Sequence, residues 1–447
     1  MEPKTKMSEE MIKVWQMWPD LQRAFPAVDK GDPTGKDGNA SWTYLDWWRD
    51  SFPSEKSSRL RVTKTAEASA GGTTYGGGSL FSRPIVLSYD GPLKSLSGYG
   101  SASYNNLLAL LKGGYQVRVP HNLPTEIQIQ YNKQLTLVTD DIDLKITHYP
   151  PYHSKPADII CTVHELDAIP ESWVEKINLQ YKELWVPSIF NQKLFKKSGV
   201  EVPISIVPYS LDKDTFSPNK GPLYKGGVKG YNFLFVGQWM ERKFVKGMLK
   251  AFFEAFDPTD PVNLIIRSFS DPGQGDAKTR ISEDVNKITE ELNIQKHPRI
   301  IYIESVDPQY LPNLYASIDC LLFPVRCEGF GIPLMEAMAS GKPVITTDWP
   351  AMNEVVTPEC GYLARATPVL MDMDAMSWAG EQSYRPNPEA LWAEPDVDSL
   401  VGILRSVVTN PEYAIEKGKK GRERFLKYYE HGVAGQIMKK RIEELLA

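Results

Sequence analysis

Two glutamates, Glu328 and Glu336, are separated by seven residues in the run CEGFGIPLMEAMASGKPVI, which spans Cys327 to Ile345. The apolar run CLLFP leads into its glycines, Pro333 suits a first helical position, and Gly341 closes PLMEAMAS, so a helix N-terminus should open at the end of a strand. The N–H groups around Gly329, Phe330, Gly331 and Ile332, with the positive end of the helix dipole, suit a diphosphate, and the glycines let backbone approach a ligand. Glu336, placed in the first turn, either caps the helix or accepts paired hydrogen bonds from the vicinal hydroxyls of a ribose. The second constellation is Arg242-Lys243, five and six residues beyond Gly237 in VGQWMERKFVKGMLKAF. Taken alone such a pair is a solvated surface feature; at a strand-to-helix loop it would neutralise charge building on a departing diphosphate.

Other residues carry weaker signals. Ser97-Gly98-Tyr99-Gly100 lies in a glycine-rich loop before a helix, and such loops are often mere turns. His164 follows the strand IICTV in TVHELDAIP, with Glu165 as its rival, and His148 and His153 are read as aromatic-flanked loop residues available to an acceptor. Asp140, Asp141 and Asp143 form a D-x-D-like cluster that reads as a solvated turn rather than a metal site. The four cysteines, Cys161, Cys320, Cys327 and Cys360, show no zinc-ligand spacing and read as buried free thiols. A Ser-His-Asp triad and a Walker A loop are absent.

The elements that must position these residues follow from the hydrophobic pattern. Strands are expected at 85–90, 115–119, 136–139, 159–163, 183–187 and 204–208, and again at 233–237, 263–268, 299–303, 320–324 and 343–347, with helical segments between them. Strand and helix in alternation imply parallel sheets with helices on both faces, an α/β architecture. The Gly-, Pro- and Lys-rich stretch 219–230 separates two such units, so two Rossmann-like, doubly wound domains should face a cleft with ligand at the carboxyl ends of the strands. We divide the chain into a Trp-rich helical extension and Gly-rich linker (1–82), an acceptor domain (83–218), a donor domain (219–425) and a C-terminal helix packing back across the first domain (426–447).

Composition bounds the partners. The chain has 447 residues, 42% of them apolar and 24% charged, with a formal charge of −5, which excludes wholesale disorder and a broad cationic surface for duplex nucleic acid. No apolar run approaches the roughly 18 residues that span a bilayer, and the charged N-terminus does not read as a secretory signal. The expected setting is cytoplasmic, with peripheral contact at the inner membrane face left open.

The Glu328 to Ile345 block resembles the E-x7-E signature of retaining glycosyltransferase family 4, the group 1 glycosyltransferases of GT-B fold that include glycogen-synthase-like and mannosyltransferase-like members. VGQWMERKFVKGMLKAF resembles the family's donor-phosphate loop and LPNLYASIDCLLFP the approach to its signature, and the likeness covers roughly residues 84–440. The resemblance implies that Glu328 lies beside the donor sugar and reacting centre and that Glu336 holds the ribose. It implies that Gly329, Phe330, Gly331 and Ile332 supply backbone contacts, that Lys243 and Arg242 bind the diphosphate beside Gly237, and that backbone near Val306 meets the base. Gly98 and Gly100 would contact the donor phosphates, and His164 the donor sugar. Many relatives carry a basic residue where this chain has Gln238, so Arg242 or Lys246 would take its share.

The expected activity is retaining transfer of a hexosyl group from a UDP- or GDP-sugar to a hydroxyl on a glycan, a lipid-linked glycan or a small molecule. No metal or other cofactor is expected, because helix dipole and basic side chains replace a cation. A nucleotide-sugar epimerase or hydrolase, a nucleic-acid base glycosyltransferase and a non-catalytic scaffold are the alternatives.

Overall fold

Runs of Val, Ile, Leu and Phe buried on both faces require a parallel sheet covered by helices, and the chain builds two of them. The computed structural model describes residues 84–447 apart from 94–96, 121–122, 124, 132, 136–140, 224–227, 270–275, 305 and 373–389. The Trp-rich extension and the strand expected at 136–139 lie outside the described residues.

The first lobe runs β1 (Val86–Asp90), α1 (Gly98–Lys112), β2 (Gln116–Arg118), α2 (Thr125–Gln130), β3 (Leu144–His148) and β4 (Ile159–Cys161). It continues through α3 (Glu171–Gln180), β5 (Glu183–Val186), α4 (Ile189–Lys197) and β6 (Ile204–Ile206). The sheet is parallel, in the order β2-β1-β3-β4-β5-β6. One expectation fails here. His148 is not a loop residue but the buried end of β3, because Leu144, Ile146 and His148 alternate into the core against β1 and β4.

The second lobe runs β7 (Tyr231–Gln238), α5 (Val245–Ala255), β8 (Val262–Phe269), α6 (Ala277–Glu291), β9 (Arg299–Ile303) and α7 (Leu311–Ala316). It is completed by β10 (Cys320–Phe323), α8 (Ile332–Ala339), β11 (Val344–Thr347), α9 (Met352–Val355) and β12 (Tyr362–Ala364). Its parallel order, β12-β11-β10-β7-β8-β9, is the doubly wound arrangement, with the reversal of winding between β7 and β10. An antiparallel ribbon of β13 (Ala366–Leu370) and β14 (Leu391–Pro395) follows.

Three helices end the described chain: α10 (Val397–Thr409), α11 (Pro411–Tyr428) and α12 (His431–Leu446). Helix α11 stays with the second lobe, packed on α8, whereas α12 crosses to pack on α1. There Ala434, Met438 and Ile442 enter the first-lobe core with Leu107, Leu110 and Leu111. At the crossing the chain is pinned to the inter-lobe connection: Leu211 donates its N–H to the Tyr429 carbonyl (3.0 Å) and accepts from the His431 N–H (3.2 Å). Among the described residues no helix is long and apolar enough to cross a membrane.

Candidate active site

A cleft of about 700 Å³ opens between the carboxyl ends of the two sheets. The second lobe lines it with the loops after β7 and β10, the two strands that flank its switch point. After β7, Glu241–Lys243 make one 3₁₀ turn and Phe244 takes a left-handed conformation (φ 54°) before α5 begins. Arg242 Nη1 donates to Glu328 Oε1 at 2.8 Å, and the Lys243 ammonium contacts the same oxygen. Lys243 is buried, with its ammonium 4.9 Å from the centre of the Phe323 ring. Burial first, and then the neighbouring Arg242 guanidinium, push its pKa well below the usual lysine range, against the opposing pull of Cys327 and Glu165. The expected pair of cations and the first signature glutamate thus form one compact cluster at the cleft wall.

Helix α8 starts beside that cluster. Gly331 is its N-cap at φ 86°, and a Cβ there would sit 2.9 Å from Leu334 Cδ1, so the turn into the helix requires glycine. Gly329 answers a different need: a Cβ on it would lie 2.0 Å from Val163 Cγ2 and 3.1 Å from the His164 carbonyl oxygen, so the two lobes touch backbone to backbone here. Gly329, Phe330, Gly331, Ile332 and Glu336 all line the cleft, as do Gly237, Val306, Gly98 and Gly100.

Glu336 is not in the first turn of α8 and caps nothing. It lies a turn further in, buried, accepting a hydrogen bond from the Tyr315 hydroxyl at 2.6 Å. Burial raises its pKa to about 7, against the pull of that hydrogen bond and of Arg267. Gly98 and Gly100 are not in a loop ahead of a helix; with Ser97 as N-cap they are the first turn of α1, and Ser97 Oγ accepts from the Gly100 N–H at 3.1 Å. The Tyr99 hydroxyl between them donates to the Val163 carbonyl at 2.9 Å, tying this helix start to the β4 loop.

His164 does not line the cleft. Its backbone N–H is held by Asn191 Oδ1 (2.7 Å), its ring lies edge-on to Trp173, and its Nδ1 accepts from the Leu166 N–H at 3.2 Å, so the side chain turns into the core and burial lowers its pKa. Successive residues leaving a strand point to opposite sides, and it is the neighbour, Glu165, that faces the cleft. His148 bonds the Tyr89 hydroxyl through Nδ1 at 2.9 Å, and burial drives its pKa down to about 3, so it is a neutral core residue. His153 lies in a 3₁₀ turn away from the cleft. Asp143 accepts from the Val86 N–H at 2.8 Å, which fixes the start of β1, while Asp140 lies outside the described residues. Lys246 bonds Glu241 at 3.2 Å and stays off the cleft, whereas Gln238 lines it. Among the described residues no three His, Cys, Asp or Glu side chains gather to hold a metal ion.

The sequence reading missed Tyr104, Tyr209 and Arg267, which also line the cleft. Arg267 was legible: a lone charge near the carboxyl end of an apolar parallel strand, NLIIRS, has to leave the sheet toward the ligand side.

Two parallel Rossmann-like lobes meeting at a cleft, with the cationic turn and the α8 N-terminus at the second lobe's switch point, define the GT-B class of protein. In fold the chain is similar to sucrose-phosphate synthase from Thermosynechococcus elongatus (TM-score 0.58, 15% identity, 81% of this chain and 99% of that one). It is likewise similar to HepE from Anabaena in complex with UDP and glucose (TM-score 0.57, 12% identity, 80% and 100%). Residues 230–378 match the family described as glycosyl transferases group 1, so the second lobe is a group 1 glycosyltransferase domain. By sequence the chain is similar to the O-antigen chain mannosyltransferase RfbU of Salmonella typhimurium, 28% identical over 210 residues; these are 45% of this chain and 55% of that protein. The chain therefore spans about half the length of this relative.

Proposed function

We propose that the protein transfers a hexosyl group, with retention and without a metal ion, from a nucleoside diphosphate sugar to a hydroxyl of a glycan or lipid-linked glycan. One observation carries the reading: Arg242, Lys243 and Glu328 meet in one cluster beside the N-terminus of α8, at the switch point. The diphosphate would take over the two cations that Glu328 now holds, and the α8 N–H groups would add donors, so charge on the leaving group is stabilised as it forms. With the sugar held against Glu328, acceptor and leaving group share one face, and a phosphate oxygen can accept the acceptor's proton. Glu336 would receive the ribose hydroxyls. The name of RfbU supports a mannosyl donor and a bacterial surface glycan as acceptor; the UDP bound to HepE supports a uridine nucleotide. UDP- and GDP-sugars are thus the donors to test first, and action at the cytoplasmic face of a membrane agrees with such an acceptor.

The test is a thermal-shift panel of UDP, GDP, ADP and dTDP without magnesium, followed by transfer assays with the matching sugar donor. A ligand that binds only the native state raises its melting temperature. One nucleotide should stabilise the wild type and not Glu336→Ala, and Lys243→Ala should lose turnover by orders of magnitude. Unchanged turnover in Lys243→Ala, or donor consumed at full rate with no acceptor present, would overturn the assignment.

A further inference from the structure

Behind the cationic turn, out of reach of the cleft, lies an arginine with an unusual number of partners. The Arg326 guanidinium donates through Nη1 to the Glu241 carboxylate (2.6 Å) and to the Glu241 carbonyl (3.0 Å). Through Nε and Nη2 it holds both oxygens of Glu394 (2.7 and 3.0 Å), a side-on pairing that lysine cannot reproduce. Its central carbon lies 5.1 Å from the Phe244 ring and 5.0 Å from the Trp392 ring. Its own backbone N–H donates to the Arg242 carbonyl at 2.8 Å, and its carbonyl accepts from the Ala393 N–H at 2.9 Å. Every residue of the turn that bears the cations is therefore bonded to Arg326 or adjoins one that is.

The turn needs such a brace. Phe244 is not glycine yet holds a left-handed backbone, a strained conformation that persists only where the surroundings compel it. Gly247 leaves room for the Phe244 ring, since a Cβ there would fall 2.0 Å from Phe244 Cζ, and the Arg326 guanidinium lies over the ring. The far anchor, Glu394, stands on β14, beyond residue 378 where the family match ends. The ribbon itself is fixed to both lobes. Leu391 donates its N–H to Asp167 at 2.7 Å, and Met371, Ala390 and Trp392 pack with Leu166 and Cys327, neighbours in sequence of the cleft carboxylates Glu165 and Glu328.

We propose that Arg326 is a positioning residue, which together with Glu394 of the β13–β14 ribbon holds the Glu241–Lys243 turn so that Arg242 and Lys243 are aimed at the leaving diphosphate. The inference rests on the proposed function. Paired to two carboxylates, Arg326 does not itself compete for phosphate; it sets where the other two cations stand.

The experiment compares wild type, Arg326→Lys, Arg326→Leu and Glu394→Gln, with Lys243→Ala as reference, in binding of a nucleoside diphosphate and its parent nucleoside and in steady-state transfer. The brace acts on diphosphate alone, so Arg326→Leu and Arg326→Lys should lower the ratio of diphosphate to nucleoside affinity about tenfold. Nucleoside affinity should stay within twofold of wild type. Turnover should fall in parallel with the KM for acceptor unchanged, and Glu394→Gln should show the same pattern more weakly. Equal loss of both affinities would show mere structural damage and overturn the proposal, as would a Glu394→Gln enzyme that keeps the wild-type ratio. If wild type and Lys243→Ala share one ratio, the cations do not read diphosphate, and the proposed function falls together with this inference. If that pair differs and the Arg326 variants match wild type, only the inference falls.

Discussion

Glu336 carries the clearest pH signature in the cleft. Its folded pKa of about 7 stands above the ordinary value of 4.5 because the ionised form is buried. The folded state therefore holds the extra proton between those values: the stability is fully present below pH 4.5 and is lost as pH rises toward 7. Glu336→Gln keeps an acceptor for Tyr315 and removes the titration. Relative to wild type it should gain up to ~3 kcal/mol between pH 5 and pH 8, read from denaturant unfolding at the two values. If ribose hydroxyls bind this carboxylate, they favour its ionised form, so nucleotide binding near pH 7 should release a proton, seen as a buffer-dependent heat in calorimetry. A binding heat identical in phosphate and Tris buffers would speak against ribose at Glu336. Glu328, Arg242 and Lys243 were legible because charge at a strand-to-helix loop follows a spacing. His164 and Glu165 could not be separated from the sequence, since adjacent residues leaving a strand differ only in side, and that side is set by Trp173 and Asn191 packing around the histidine.

At the scale of elements, helix starts do most of the positioning. Helix α4 begins where the lobes meet, and its N-terminus is capped from two places. Ser188 accepts from the Asn191 N–H within its own lobe, while Glu354 of α9 in the other lobe accepts from the Ile189 and Phe190 N–H groups at 2.7 and 2.6 Å. Asn191 then donates to the Gly329 carbonyl at 3.1 Å, so this one helix end touches the signature loop as well. Glu354→Ala should cost about 0.5–2 kcal/mol, the range for a lost cap and a lost anion at a helix N-terminus. Amide exchange at Ile189 and Phe190 should quicken while exchange in β5 stays slow; protection that persists at both amides would refute the inter-lobe cap. Most strands and helices around the cleft were readable because apolar runs alternate with amphipathic segments of helical length. Strand β3 was not, as Leu144, Ile146 and His148 are spaced by polar residues beside prolines, and a histidine on the inner face reads as an exposed one. The β13–β14 ribbon escaped for a related reason: its five-residue strands are separated by a long insertion, with no short turn to announce a hairpin.

For the whole molecule, the crossing of α12 to the first lobe matters most. Met438 is fully buried against that lobe, so Met438→Ala should cost about 2–5 kcal/mol. The loss should fall on the first lobe, splitting calorimetric unfolding into an early transition and a later one still raised by nucleotide. A single transition shifted as a unit would mean that the lobes unfold together. The same crossing also orders events during synthesis. His431 Nε2 meets Asn105 Oδ1 at 2.9 Å across 326 residues of sequence, and the strip of α1 that α12 covers lacks that cover until the C-terminal segment emerges. Chains with lobes in series usually finish the first before the second is made. Here the first lobe to leave the ribosome is the last to be completed, so a nascent chain that has emerged only as far as Tyr429 carries the second lobe with all its helices and a first lobe whose apolar α1 face still awaits α12.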